Sequence, residues 1–275
     1  MLMAGTLICG ERQLPLDRTL IMGILNVTPD SFSDGGRYTD PKQAIEHAFR
    51  LVEEGADIID VGGESTRPGF APVSLEEELR RVIPVVRALK EAGLRAPISV
   101  DTYKAEVARQ SLEAGAHIIN DIWGLLKDPE MGRIAASCGC PIVLMHNRVE
   151  AVYANFIPDV IEDMRKIVER ARLAGIRDEQ IILDPGIGFA KSYEQNLQLM
   201  NYLDRIAELG FPVLLGTSRK SMIRNTLQLP ADDVVEGTAA TVALGIAQGC
   251  RIVRVHDVRA MSRVARMTDT IVRMR

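Results

Sequence analysis

Eight short apolar segments recur along the chain, and longer amphipathic segments separate them. Each apolar segment is rich in β-forming residues and continuous rather than alternating, which is typical of strands in a parallel sheet covered on both faces. The pattern therefore predicts a parallel α/β fold. The apolar segments are residues 20–25, 58–61, 98–100, 117–119, 141–145, 181–183, 212–215 and 251–255.

The intervening segments have the apolar spacing of helices. Ser74 and Glu77 form a capping-box pattern at the start of one of them. Many end at a glycine just before the next strand, as helix C-caps do. The predicted helices are residues 41–54, 74–91, 103–113, 159–174, 193–209 and 258–274. The terminating glycines are Gly55, Gly93, Gly115, Gly175, Gly210 and Gly249.

Eight strand–helix units in series predict a (β/α)₈ TIM barrel. A doubly wound sheet is the alternative, but the chain shows no break in composition and no linker rich in proline or glycine. A barrel of this class needs about 250 residues, so we expect residues 1–275 to form a single domain. Residues 7–14 resemble a short β-hairpin, which we expect to cover the bottom of the barrel.

Composition excludes several classes of partner. The 33 basic and 37 acidic residues give a net charge of −4, which disfavours nucleic acid. The longest apolar stretch, residues 239–247, is too short to span a membrane. Four cysteines without a C-x-x-C pair, and a start without signal-peptide features, predict a cytoplasmic protein.

Hydrogen-bonding residues follow nearly every predicted strand. A single residue of this kind is equally well explained as a helix cap. Eight such sets meet at one end of a barrel, where the sites of this fold form, so together they predict a binding site there. The sets are Asn26, Gly62-Gly63-Glu64, Asp101, Asn120-Asp121, His146-Asn147, Asp184, Thr217-Ser218 and His256-Asp257.

Two of the loops at this end are unusually rich in functional groups. Residues 26–36 could be an ordinary turn, but the loop is long and carries Phe32, which favours a mobile lid. Residues 62–69 have glycines at both ends, and Thr66 and Arg67 within this loop suit an anion.

Five motifs together identify a family. From about residue 5 to the C-terminus the chain resembles the dihydropteroate synthase family, whose fold is a (β/α)₈ barrel. The resemblance implies that 6-hydroxymethyl-7,8-dihydropterin pyrophosphate and p-aminobenzoate are condensed to 7,8-dihydropteroate. The motifs are Asn26-Val-Thr-Pro-Asp-Ser-Phe-Ser-Asp-Gly-Gly, Gly63-Glu-Ser-Thr-Arg-Pro-Gly, Asp184-Pro-Gly-Ile-Gly-Phe-Ala-Lys, Ser218-Arg-Lys-Ser and Arg254-Val-His-Asp.

The resemblance assigns the pterin site. Asp184 is expected to accept two ring N–H groups, because a charge-assisted bidentate pair is strong and directional. Asn120 and Asp101 would bind other ring nitrogens, and Lys220 would face the ring's acceptors. The expected apolar walls are Met145, Ile122 and Phe189. For Met145 and Ile122, plain core packing is the alternative.

The resemblance also assigns the pyrophosphate site. Arg254 and His256 follow the last strand, where barrels often hold phosphate. For His256, a satisfied core or capping role is the alternative. Thr66 and Arg67 would assist, and Asn26 would bind Mg²⁺ through its amide oxygen.

The residues 218–221 are expected to bind the carboxylate of p-aminobenzoate at a helix N-terminus, with Ser218 capping that helix. Asp34 would orient the amine or accept its proton in an S_N1-like reaction. The remaining p-aminobenzoate residues are expected to be Phe32, Thr66, Pro68, Phe189, Lys220 and Ser221. Sulfonamides are the expected competitors, and a homodimer is implied.

Two other functions remain as alternatives. A pterin-dependent methyltransferase would not need the two loop motifs, and a non-catalytic pterin-binding paralogue would be expected to lose parts of them. Two positions depart from the family pattern, Arg224 and Glu236. Both are expected to lie away from the site and to affect helix packing or the subunit interface.

Overall fold

The computed structural model describes residues 5–28, 41–64 and 72–274. Its strands are β1 (Thr6–Cys9), β2 (Arg12–Pro15), β3 (Leu20–Asn26), β4 (Ile58–Gly62), β5 (Ile98–Asp101), β6 (Ile118–Asp121), β7 (Ile142–Met145), β8 (Ile181–Asp184), β9 (Leu214–Leu215) and β10 (Ile252–Val255). Its helices are α1 (Pro41–Glu53), α2 (Leu75–Glu91), α3 (Ala105–Ala114), α4 (Glu130–Cys138), α5 (Phe156–Leu173), α6 (Tyr193–Met200), α7 (Leu203–Ala207), α8 (Ser221–Leu227), α9 (Val235–Ala247) and α10 (Val258–Val272).

Strands β3 to β10 form one parallel sheet within the described residues, in the order β8-β7-β6-β5-β4-β3-β10-β9. A parallel bridge between Leu183 and Val213 joins its two edge strands. The N–H of Leu183 also donates to the carbonyl oxygen of Pro212 at 2.9 Å. The sheet therefore closes on itself, which confirms the predicted (β/α)₈ barrel.

The lower half of the barrel interior is apolar, and the N-terminal hairpin closes it. Leu7 and Cys9 of β1 are buried against the inward residues at the start of the strands. Arg12 of β2 donates to the carbonyl oxygens of Ala96 and Leu94 at 2.7 and 2.8 Å. The hairpin thus covers the barrel bottom, as predicted. We call the strand residues of this cluster the apolar layer: Leu20, Met22, Ile58, Ile118, Val143, Ile182, Leu214 and Ile252.

Two of the predicted helix-end signals, Ser74 and Gly115, are found at helix ends in the structure. The Ser74 side chain accepts from the N–H of Glu77 at 3.2 Å, although the Glu77 carboxylate binds Arg80 and Arg81 rather than completing the capping box. Gly115 has a φ of +123°, a conformation that favours glycine.

One predicted helix is divided. Residues 193–209 form α6 and α7, and the side chain of Gln248 lies at the break. Its amide nitrogen donates to the carbonyl oxygen of Met200 at 2.7 Å, and its amide oxygen accepts from the N–H of Leu203 at 3.1 Å. A side chain from α9's C-terminal end therefore supplies the hydrogen bonds that a continuous helix would make internally, a long-range contact that local spacing does not indicate.

No helix in the described part of the chain is long and apolar enough to cross a membrane. The four cysteines are free thiols, and three of them are buried while Cys138 is exposed.

Candidate active site

The side chains of a strand alternate between the barrel interior and the surrounding helices, and this alternation builds the site. Inward-pointing residues nearer the carboxyl ends of the strands lie above the apolar layer and are mostly polar. We call them the mouth layer. Its members are Asp60, Asp101, Asn120, Met145, Asp184 and Arg254.

Arg254 lies between two buried carboxylates. Its Nε donates to Oδ2 of Asp60 at 2.6 Å, and its Nη2 donates to Oδ2 of Asp101 at 2.8 Å. Although burial opposes the charge, the two carboxylates raise the pKa of Arg254 above its ordinary value. These contacts use two of the five guanidinium N–H groups within the described residues, which leaves three that can bind an anion.

Both carboxylates in this cluster keep one buried oxygen without a hydrogen-bond partner among the described residues, Oδ1 of Asp60 and Oδ1 of Asp101. Burial raises the pKa of Asp101 to about 7, against the lowering effect of Arg254. A buried acceptor without a donor is destabilising, so both oxygens can accept from a ligand or from water.

Asp60 is a member of the polar cluster that the sequence analysis missed. It lies inside the apolar run of β4, and its Oδ2 accepts from Nδ2 of Asn120 at 3.2 Å. This contact leaves the amide oxygen of Asn120 as an acceptor for a ligand N–H. A carboxylate at an inward position of a buried strand was the available signal.

The loop after β8 carries further residues of the predicted pterin site. Oδ1 of Asp184 accepts from the N–H of Gly186 at 2.7 Å, and burial raises the pKa of Asp184. Lys220 donates to the carbonyl oxygen of Ile187, and its ammonium lies 4.7 Å from the ring centroid of Phe189. Burial lowers the pKa of Lys220 to about 8. The structure therefore brings Asp184, Lys220 and Phe189 together as predicted.

The prediction that Ser218 caps a helix is wrong. Helix α8 begins at Ser221, and its N-cap residue is Lys220. The Ser218 hydroxyl is 3.0 Å from Nδ1 of His256 and accepts from the N–H of His256 at 3.2 Å. Ser218 therefore orients the His256 imidazole, which is partly exposed, while Ser221 is exposed at the start of α8.

Asn26, Met145 and Ile122 lie where the strands end. A Cβ added to Gly62 would be 3.7 Å from Oδ1 of Asn26 and 3.7 Å from Cβ of Asp101, so both line the mouth around Gly62. Met145 and Ile122 are buried, at 2% and 9% exposed, which fits both an apolar wall of the mouth and core packing.

The two departures from the family pattern lie on helices. Arg224 is exposed on α8, and Glu236 is exposed in the first turn of α9. Neither belongs to the mouth layer. The predicted residues of the two loops lie outside the described residues: Phe32, Asp34, Thr66, Arg67 and Pro68.

Comparison with known proteins agrees with this geometry. The family model for pterin binding enzymes matches residues 22–256. The dihydropteroate synthase of Clostridium beijerinckii is 57% identical over 258 residues, which are 94% of this chain and 96% of that protein. The structure of dihydropteroate synthase from Clostridium difficile in the presence of pteroic acid has a TM-score of 0.90 at 49% identity, covering 92% of this chain and 97% of that one. The structure of the Yersinia pestis enzyme in a sulfonamide drug complex has a TM-score of 0.90 at 41% identity, covering 97% and 98%.

Proposed function

The chain belongs to the dihydropteroate synthase family, and from that membership we propose how its mouth layer carries out the reaction. The enzyme condenses 6-hydroxymethyl-7,8-dihydropterin pyrophosphate with p-aminobenzoate, giving 7,8-dihydropteroate and pyrophosphate. The observation that carries the assignment of roles is the hydrogen-bonded polar cluster at the mouth. Its buried acceptors suit the N–H groups of the pterin ring, and Arg254, held by Asp60 and Asp101, keeps N–H groups for an anion.

The pterin ring is recognised by buried polar groups. Asp184 accepts two adjacent ring N–H groups, and the amide oxygen of Asn120 accepts a third. Oδ1 of Asp101 has no partner among the described residues and takes a further ring donor. Lys220 donates to the ring's acceptors. A ring without these groups leaves the buried atoms unpaired, so the site discriminates against it.

The leaving group is bound by Arg254 and His256. The bond between the methylene carbon of the pterin and pyrophosphate breaks, and the electron pair leaves with pyrophosphate. The resulting cation is delocalised into the pterin ring, while the cationic Arg254 stabilises the departing anion. The neutral amine nitrogen of p-aminobenzoate then attacks the methylene carbon and loses a proton. The reaction is therefore S_N1-like.

The donor set at the mouth fits Mg²⁺ bound largely by substrate oxygens and water. Asn26 offers a neutral amide oxygen, and the described residues contain no group of three or more His, Cys, Asp or Glu that could hold a metal alone. Asn26 would hold the ion, which when bound supplies positive charge to the pyrophosphate.

Replacing Asn26 by Ala tests this assignment. We expect the Mg²⁺ concentration for half-maximal activity to rise about tenfold, since one oxygen ligand is lost, about 1.4 kcal/mol. The measurement is a Mg²⁺ titration of initial rates. An unchanged Mg²⁺ dependence would remove Asn26 from the metal site.

The second substrate is proposed to bind at the start of α8. Its carboxylate is bound by Ser221 and nearby N–H groups, and its ring packs on Phe189. The residues Phe32, Thr66, Arg67 and Pro68, which lie outside the described residues, complete this part of the proposal, in which the two loops close over the substrates. Sulfonamides, one of which is bound in the Yersinia pestis structure, are proposed to compete with p-aminobenzoate here.

The experiment that tests the function is an assay of pyrophosphate release. Release should require both the pterin pyrophosphate and p-aminobenzoate. Release with the pterin alone would indicate hydrolysis, and no release with both would favour a non-catalytic pterin-binding protein.

Asp34 is proposed to orient the amine or accept its proton. The change Asp34→Ala should therefore lower kcat by about 10²-fold, the range of a lost general base, with little change in pterin affinity. Steady-state kinetics and a pterin titration measure both quantities. A loss of pterin affinity would contradict this role.

A homodimer and a cytoplasmic location remain predictions from the sequence and the resemblance. Light scattering on the purified protein measures the oligomeric state directly.

A further inference from the structure

Lys191, which lies outside the assigned site, contacts two backbone carbonyl groups of the loop that follows Asp184. The ammonium of Lys191 lies 2.9 Å from the carbonyl oxygen of Gly186, 3.0 Å from that of Phe189 and 2.9 Å from Nδ1 of His146. Burial lowers the pKa of Lys191 to about 7. In its ammonium form the side chain has three N–H donors, and each is matched with one of these acceptors. Two of these acceptors belong to the segment between Asp184 and Lys191 itself.

The third acceptor, His146, is itself fixed by a contact with α5. Its side chain is fully buried, and Nε2 lies 3.2 Å from Oδ2 of Asp163 on α5. Burial lowers the pKa of His146 to about 4, so the imidazole is neutral and can carry one proton. With the proton on Nε2, toward Asp163, the lone pair of Nδ1 accepts from Lys191. Arg148 also donates to Asp163 at 2.7 Å.

The loop has a backbone that needs such support. Gly186, Gly188 and Ala190 all have positive φ angles, at +68°, +86° and +45°. Ala190 is not a glycine, so this conformation is strained and persists only where contacts impose it. A Cβ added to Gly186 would lie 2.0 Å from the carbonyl oxygen of His146, so the loop sits directly on the backbone of His146.

We propose that Lys191 and His146 are positioning residues that hold the segment 184–189 in the shape required for pterin binding. This inference rests on the proposed function. The segment aligns Asp184, the carbonyl oxygen of Ile187 that accepts from Lys220, and Phe189. Lys191 binds the two carbonyl groups on either side of Ile187, at positions 186 and 189, and so acts on the pterin site through the backbone.

The test is calorimetric titration of each variant with 6-hydroxymethyl-7,8-dihydropterin pyrophosphate in the absence of p-aminobenzoate. Lys191→Met keeps the length of the side chain and removes all three donors, so the dissociation constant should rise at least tenfold. The matched control is Lys166→Met, because Lys166 is exposed on α5. Its dissociation constant should stay within twofold of that of the wild type.

Two changes at His146 separate positioning from mere stabilisation. His146→Asn places an amide oxygen where Nδ1 accepts, so it should keep the dissociation constant within about threefold of the wild type. His146→Leu has no acceptor and should raise it at least tenfold. This pair decides the question if Lys191→Met does not fold.

The proposal is overturned if Lys191→Met binds the pterin as the wild type does while its melting temperature falls, since the lysine would then only stabilise the fold. Equal weakening by His146→Asn and His146→Leu would overturn it as well. Pyrophosphate release by the wild-type enzyme tests the proposed function separately.

Discussion

The two halves of the barrel interior are formed by the same sheet but differ in polarity and in hydrogen bonding. The apolar layer at the bottom is sealed by the β1–β2 hairpin, and its members are buried without polar partners to satisfy. The mouth layer, nearer the carboxyl ends of the strands, contains Asp60, Asp101, Asn120 and Arg254 in one hydrogen-bonded cluster.

The difference shows how stability and binding are divided along a strand. Burial of apolar side chains in the lower layer stabilises the fold in proportion to the area removed from water. The mouth layer keeps buried charges and two carboxylate oxygens without partners among the described residues, which opposes stability and provides acceptors for a ligand. Changes in the two layers should therefore affect different measurements.

The largest expected effect is in the apolar layer. Ile118→Ala should lower the free energy of unfolding by about 2–5 kcal/mol, because it leaves a cavity in a closely packed region. The measurements are denaturant unfolding and steady-state kinetics on the folded variant. The ratio kcat/KM should stay within about twofold of the wild type. If Ile118→Ala does not fold, Ile118→Val should show the same pattern at about 1 kcal/mol. A large kinetic defect in the folded protein would break the separation of the two layers.

The next largest effect is in the mouth layer, where a substitution should lower kcat/KM and leave stability intact. Asp184→Asn removes a charge-assisted acceptor, so kcat/KM for the pterin should fall about 100-fold, or about 2.7 kcal/mol. Stability should be unchanged or higher, because burial raises the pKa of Asp184 and so disfavours its ionised form in the folded protein. The matched control is Asp232→Asn at an exposed position, which should leave both quantities unchanged. A clear loss of stability in Asp184→Asn would show that the mouth layer also holds the fold together.

The smallest effect concerns the pH dependence of stability. Burial raises the pKa of Asp101 from 3.8, the value taken for the unfolded chain, to about 7 in the folded protein. Between these two pH values the folded state therefore binds more protons than the unfolded state. Stability from this group is therefore lost as pH rises from about 4 to 7. Asp101→Asn removes this loss, and its free energy of unfolding relative to wild type should rise by about 1 kcal/mol or more between pH 4 and 8. Denaturant unfolding at several pH values measures this, and parallel curves for the two proteins would contradict it.

Much of the fold and of the site could be predicted from local patterns. The eight apolar runs correspond to the barrel strands, and the polar residues that follow them meet at the mouth. The prediction succeeded because side chains alternate along a strand and because all strands of a parallel barrel run in the same direction. Both features can be followed from sequence position alone.

The failures share a physical cause, since each depends on a contact between residues distant in sequence. Asp60 was passed over inside an apolar run because its partners, Asn120 and Arg254, are 60 and 194 positions away. Ser218 was expected to cap a helix, but its hydroxyl binds His256, 38 positions away.

The sequence by itself determined the alternation of strands and helices, the hairpin, and the chemical types of group at the mouth. These follow from periodicity, turn residues and motifs that act over a few positions. Tertiary structure alone decided which carboxylate shares Arg254, which way the Asn120 amide points, and how Lys191 holds the loop of Asp184. Those outcomes depend on closure of the sheet, because only a closed barrel brings the ends of all its strands within hydrogen-bonding distance of one another.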